Sequence, residues 1–342
     1  MKKGVSALLI ALACVCWELA GVAQNPHLVV YQGDKGPGVG KHIVWLAGDH
    51  EYRSEESLPA LARIMARHYG FKCSVFFTTD PKTGFIEPGS SNISGLEALD
   101  TADLLVVFLR FQDFSDDQMQ HIVDYLNRGG PVVGYRTATH AFQIKRADAR
   151  FLKYTWNNQT SDYPGGFGRQ VLGETWVSHY GRNHAQSSRL LLQADEASHP
   201  ILKGVKDVWA QSGGYTADPI AGSHVLALGR ILNGMTPDSP AAEDKKDMPV
   251  AWYRSYSGAS GKPGRVFTTT HGASEDLLND GFRRMAVNAT LWAAGLETSI
   301  SPDGNISFVG PYKPSTFAFG GFVKGMKPSD MAGWDTPIPA RQ

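Results

Sequence analysis

Four short apolar runs, at residues 42–47, 73–78, 103–109 and 131–135, constrain this chain more than any other feature. Each is bounded by turn residues and lacks the in–out alternation of a strand wet on one face, which is how a strand covered on both faces reads. Between the first two runs, Leu58, Leu61, Ile64, Met65 and Tyr69 recur at helical spacing, and Gly70 supplies a stop. Before the fourth, Ser115-Asp116-Asp117-Gln118 is a capping-box pattern that opens a helix through Arg128, closed by Gly129-Gly130. Strand and helix in alternation predict an α/β domain built on a parallel sheet with helices on both faces.

Later strands are predicted at 190–193, 225–229, 249–254 and 264–270. A long helix is predicted over 274–294, with Leu278, Phe282, Met285, Ala289 and Trp292 as its apolar seam. Residues 154–189 are rich in Gly, Trp, Asn and Tyr without periodicity, and a long irregular stretch in a compact domain is usually functional or disordered. Its aromatics and histidines favour function. The domain is bounded at 41–297, and the Pro/Gly-rich tail at 298–342 is expected to wrap on it or to lie partly loose.

The N-terminus carries an export signature. Lys2 and Lys3 precede an apolar run, and Gly21, Val22 and Ala23 offer a cleavage site, so residues 1–23 are read as a signal peptide. The run is shorter than the roughly 20 residues that span a bilayer. Lipid attachment at Cys14 is the alternative. The expected location is periplasmic or extracellular. Removal of the signal leaves Cys73 as the sole cysteine, so no intramolecular disulfide is available. Thirty-three basic and thirty-three acidic residues form no basic stripe, which argues against a nucleic-acid partner. Aromatic side chains are plentiful, either as packing or as surfaces for the C–H face of a sugar.

The blocks Ala47-Gly48-Asp49-His50-Glu51, Val133-Gly134-Tyr135-Arg136-Thr137-Ala138-Thr139-His140-Ala141-Phe142, His199-Pro200 and Pro249-Val250-Ala251-Trp252, with Gly264-Arg265-Val266-Phe267 and the closing Leu291-Trp292-Ala293-Ala294-Gly295, resemble the ThuA-like family. That family is named for trehalose utilisation. The resemblance implies the flavodoxin-like fold of class I glutamine amidotransferases. It departs at two places: Arg136 stands where members commonly carry histidine, and a late Gly-His motif reads His271-Gly272. Amidotransferases place a cysteine nucleophile on the turn after such a strand. Here that turn is Gly134-Tyr135-Arg136-Thr137, and glutamine hydrolysis is excluded for want of the thiol.

Parallel sheets bind ligands at the carboxyl ends of their strands. His50 and Glu51 follow the first run, Arg136, Thr137 and His140 the fourth, and His271 the last. The expected catalytic set is therefore His50, Glu51, Arg136, His140 and His271, with imidazoles moving protons and the guanidinium holding an oxyanion. Each has a structural alternative: His50 and Glu51 as helix caps, Arg136 as a buried ion-pair partner, His140 bonded to a neighbouring carbonyl. Thr137, His179, His184 and Trp252 are expected to touch substrate. A divalent metal held by histidines with Glu51 stays open, although no HExxH pattern occurs. A nicotinamide does not fit, because Gly33, Gly36, Gly38 and Gly40 precede the first strand instead of following it.

With the resemblance, these residues imply a small saccharide or keto-glycoside as the ligand, handled by acid–base catalysis. The alternative is a saccharide-binding module that has lost its catalytic apparatus. A third reading has the tail dock a partner.

Overall fold

The computed structural model describes residues 25–340. The proposed signal peptide, Cys14 and Cys16 lie outside the described residues. The ten strands are β1 (Leu28–Gln32), β2 (His42–Gly48), β3 (Lys72–Phe77), β4 (Leu104–Leu109), β5 (Val132–Tyr135), β6 (Ser188–Leu192), β7 (Trp209–Ala210), β8 (His224–Ile231), β9 (Met248–Ser257) and β10 (Pro263–Thr269). They form one sheet in the order β1-β3-β2-β4-β5-β10-β9-β8-β6-β7. The three α-helices are α1 (Ser54–Tyr69), α2 (Asp116–Asn127) and α3 (Asp280–Ala293).

The expected parallel pairing holds for β3, β2, β4, β5 and β10. The other half is a correction, because β9, β8, β6 and β7 pair antiparallel, as does β1 at the opposite edge. Chain length explains the change at β9–β10. Only residues 258–262 join these strands, and a parallel crossover needs a dozen residues or more. The sheet is therefore mixed.

Side-chain alternation in the parallel strands feeds two cores. Ile43, Trp45, Val75, Val106, Val133 and Phe267 pack with apolar residues of α1 and α3. Val44, Leu46, Leu105, Val107, Val132 and Val266 pack with α2 and the turn Gly168–Leu172. That turn seats closely on β5, where a side chain added at Gly134 would meet Leu172 at 2.8 Å.

Of two helix signals, the Gly70 stop acts as read and the capping box at Ser115 forms only in half, because Gln118 Oε1 makes no return bond. Ser115 Oγ accepts from the backbone N–H of Gln118, and Gly70 in the left-handed region (φ 85°) ends α1. The long helix expected over 274–294 is interrupted. A 3₁₀ turn, Ser274–Leu278, stops at Asn279, whose side chain accepts from Phe282 N–H at 2.9 Å and starts α3 afresh. Asp276 Oδ2 is held by the backbone N–H groups of Gly272 and Ala273, which fixes the first turn out of line. Leu278, assigned to the buried seam, is consequently 54% exposed.

The tail beyond α3 is part of the main core. Phe317, Met326, Met331 and Ile338 join the cluster that contains α1. Glu55, Glu56 and Arg63 on α1 are buried beneath it. Arg63 donates to the carbonyls of Val309, Met331 and Thr336, and Tyr31 Oη donates to Met331 O. No helix among the described residues is long and apolar enough to cross a membrane.

Candidate functional site

The chain leaves β2 for β3 on one side of it and returns to β4 on the other. Open parallel sheets bind ligands at such a switch point, here the carboxyl ends of β2 and β4. His50 and Glu51 stand at the first end, Arg110 and Phe111 at the second.

Arg110 Nη1 donates to His50 Nε2 at 2.7 Å. Arginine has only donors, so Nε2 is the lone-pair nitrogen and a neutral His50 carries its proton on Nδ1. That Nδ1 is buried with no protein partner. Glu51 Oε1 accepts from Asn183 Nδ2 at 2.9 Å and lies 3.7 Å from His184 Nε2. Its Oε2 lies 3.7 Å from Arg110 Nη2 and accepts no hydrogen bond. Asn183 also donates to Tyr52 Oη at 3.1 Å, and Tyr52 Oη meets His179 Nε2 at 3.0 Å.

Arg136 forms the floor. It occupies the turn after β5 in the left-handed region (φ 43°), an uncommon conformation for a side chain of this size. Its Nη1 donates to Gly213 O at 2.6 Å and Thr270 O at 2.8 Å, and its guanidinium carbon sits 3.7 Å from the Tyr52 ring centroid and 4.6 Å from that of Tyr215. Nε and Nη2 are buried and unpartnered. Burial opposes the charge, but Tyr215 and Tyr52 hold the guanidinium above its ordinary range.

His140 lies beside it, ringed by Phe111, Trp176 and Tyr215 with centroids 4.8–5.8 Å away. Thr139 Oγ1 donates to Arg136 O and lies 3.2 Å from His140 Nδ1. With the hydroxyl proton so used, Nδ1–H donates to Thr139 and Nε2 is the basic nitrogen. Burial, then Arg110 and Arg136, hold His140 well below the usual histidine value. Burial and Arg136 lower His179 to about 4, and burial with Arg110 lowers His50. At neutral pH these imidazoles are uncharged proton acceptors.

His50, Glu51, Arg136, His140, His179 and His184 are thus brought together. Two expectations are corrected. Trp252 is fully buried on β9 with Nε1 donating to Leu172 O at 2.8 Å, so it is core. His271 is also sealed, behind Arg136, with neither ring nitrogen bonded, and burial lowers it to about 3. Thr137 is buried too, its hydroxyl unpartnered. Cys73 is a buried residue of β3, its thiol pushed up by burial. Among the described residues no group of three or more His, Cys, Asp or Glu side chains is gathered to hold a metal.

Sequence reasoning missed Tyr52, Arg110, Phe111, Asn183 and Tyr215. Arg110 was findable by the same strand-end rule that selected His50. Phe317, stacked on His184 at 4.6 Å, and Phe319, 4.7 Å from the Arg110 guanidinium, come from the aperiodic tail and carried no signal.

The fold is a mixed α/β sheet with imidazoles and guanidiniums gathered at its switch point. The ThuA family model, described as trehalose utilisation, matches residues 42–293, and the chain belongs to that family. Among solved structures, a ThuA-like protein from Parabacteroides merdae shares 15% identity at a TM-score of 0.43, covering 82% of this chain and 95% of that one. The mmIFT52 N-terminal domain shares 13% identity at 0.40, covering 74% and 97%. Salmonella typhimurium cytoplasmic protein STM3548 shares 12% identity at 0.34, covering 76% and 99%. No curated protein matches the chain.

Proposed function

We propose that the crevice binds a small saccharide and catalyses proton transfer on it, with an oxidised (keto) sugar as the reacting form. One observation carries this reading. Glu51 Oε2, His50 Nδ1, Arg110 Nε, Arg136 Nη2, Asn183 Oδ1 and Trp156 Nε1 are buried polar atoms that make no hydrogen bond within the protein, on residues grouped about the switch point. Buried polar groups are ordinarily satisfied, so such a set suits a ligand that is polar all round. Trp156 and Trp176, 5.8 Å apart by centroid, give that ligand's apolar C–H face a wall. The family's description points to the same substrate class.

For chemistry, neutral His140 is the base. Its Nε2 takes a proton from the carbon next to a ketone, and the electron pair moves onto the carbonyl oxygen. Arg136 and Arg110 stabilise that oxyanion. Return of the proton from His140 to either face completes an isomerisation; expulsion of the oxygen substituent on the next carbon, which leaves with the proton held by His140, completes an elimination.

The test is incubation with trehalose, and with trehalose oxidised to its mono-ketone, in D₂O followed by NMR. We expect deuterium to enter beside the ketone, and His140→Ala to slow this by about 100-fold or more. Exchange that survives in that variant removes His140 from the role. Binding without exchange supports the second reading, a saccharide-binding module, which the absence of a thiol at the turn after β5 favours. Export is proposed with this function, and cell fractionation that recovers the full-length chain in the cytoplasm would overturn it.

A further inference from the structure

Phe319 combines two properties that seldom occur together. Phe319 is 60% exposed, the most of any large apolar residue among the described residues, yet its backbone is pinned on both sides. The carbonyl of Ala318 accepts from Arg53 Nη2 and from Gly321 N–H, and Gly320 N–H donates to His50 O at 3.0 Å. Arg53 is itself fully buried and left-handed (φ 64°), and its Nη2 also reaches the carbonyls of His50 and Glu51. A single guanidinium therefore ties the turn that carries His50 and Glu51 to the segment that carries Phe319.

The exposed ring is aimed at the crevice. It lies 4.7 Å from the Arg110 guanidinium, whose other ring neighbour is Phe111 at 4.9 Å, and 5.6 Å from the His50 ring. Phe317, two residues earlier, is 1% exposed and packs on Tyr52 and His184, so it buttresses the wall without offering a surface. An apolar ring held rigidly in water beside two groups that bind polar atoms is arranged to receive a ligand with one apolar and one polar face.

We propose that Phe319 is the platform of a second sugar subsite at the mouth of the crevice, where the outer ring of a disaccharide stacks while Arg110 and His50 engage its hydroxyls. Arg53 is a positioning residue for that platform. Both Phe319 and Phe317 lie beyond residues 42–293 matched by the family model, so this subsite belongs to the C-terminal segment of this chain. The proposal rests on the saccharide reading of the crevice.

Calorimetric titration of the full chain with trehalose and with glucose, each also as its mono-ketone, separates the two claims. Phe319→Ala is expected to weaken disaccharide binding by about fivefold or more and to leave the monosaccharide within about twofold, with Phe319→Trp close to wild type. The melting temperature should not move, because the ring is largely exposed. Arg53→Met should weaken the disaccharide more than the monosaccharide but lower both, because Arg53 also holds the turn of His50 and Glu51, and Arg110→Ala should weaken both ligands. If Phe319→Ala leaves both affinities unchanged while Arg110→Ala reduces them, the platform is wrong and the crevice stands. Equal loss of disaccharide and monosaccharide would also overturn the second subsite. A wild-type protein that binds none of these sugars would overturn both claims.

Discussion

Arg136 puts a fixed charge at the turn that follows β5. Its left-handed backbone, aromatic neighbours and two carbonyl partners make it part of a rigid floor, and its unbonded Nη2 is what remains for a ligand. Strand-end residues were legible because polar side chains directly after an apolar run have few places to go other than the sheet edge. Trp252 misled for the converse reason. It lies within a strand, where position parity and not residue type decides whether it faces solvent or core. Trp252→Phe should cost about 1 kcal/mol in chemical denaturation, since Leu172 O loses one of its two donors and keeps Thr268 Oγ1, and should leave saccharide affinity unchanged. A lowered affinity would put Trp252 back in the site.

Glu55 gives the residue scale a pH signature. Burial, opposed by Arg53 at 3.6 Å, raises its carboxyl to about 8 from an ordinary 4.5. The folded state then binds this proton more tightly than the unfolded chain. Its contribution is complete below about 4.5 and is lost as pH rises toward 8. Glu55→Gln should flatten the fall in stability between pH 6.5 and 8, as read by urea midpoints. An unchanged slope would show that Glu55 is already charged in the folded protein.

At the scale of elements, α1 shows how far an amphipathic pattern reaches. Its apolar positions were legible, but not the burial of Glu55, Glu56 and Arg63, because the segment that covers them has no periodicity of its own. Its hold depends on side chains meeting carbonyls more than two hundred residues away. Arg63→Met should therefore cost about 2 kcal/mol or more, since the part-buried carbonyls of Val309 and Thr336 lose this donor and Met331 O keeps only Tyr31. Limited proteolysis should then cut within 301–340 first. Asn279→Ala tests the break before α3, with an expected loss of about 1 kcal/mol. A stable variant would mean that the helix can run through.

For the whole molecule, the pattern of short runs made the parallel half of the sheet legible, whereas the strand order that creates the switch point comes from the structure. The antiparallel half escaped because strand direction there is set by loop length and edge pairing. Acid response is a property of this whole. Burial lowers His42 and His179 to about 4 and His271 to about 3, and holds His140 well down too. These groups stabilise the fold above pH 6.5 and lose that contribution as pH falls through their folded values. Between 4.5 and 6.5 they oppose Glu55 and outnumber it. Stability should therefore peak near pH 6.5, and a monotonic curve would refute the neutral-imidazole account. Deuterium exchange should stay flat across the same neutral range and fail only in acid.

Because α1 and the rim of the crevice share one late cover, timing enters the picture. A nascent chain that has reached α3 owns every strand, yet the charged face of α1 is still wet and Arg63 still lacks its carbonyls. Only the segment that follows α3 dries that face and sets Phe319 beside Arg110. The sheet that frames the crevice thus precedes in synthesis the segment that finishes its rim.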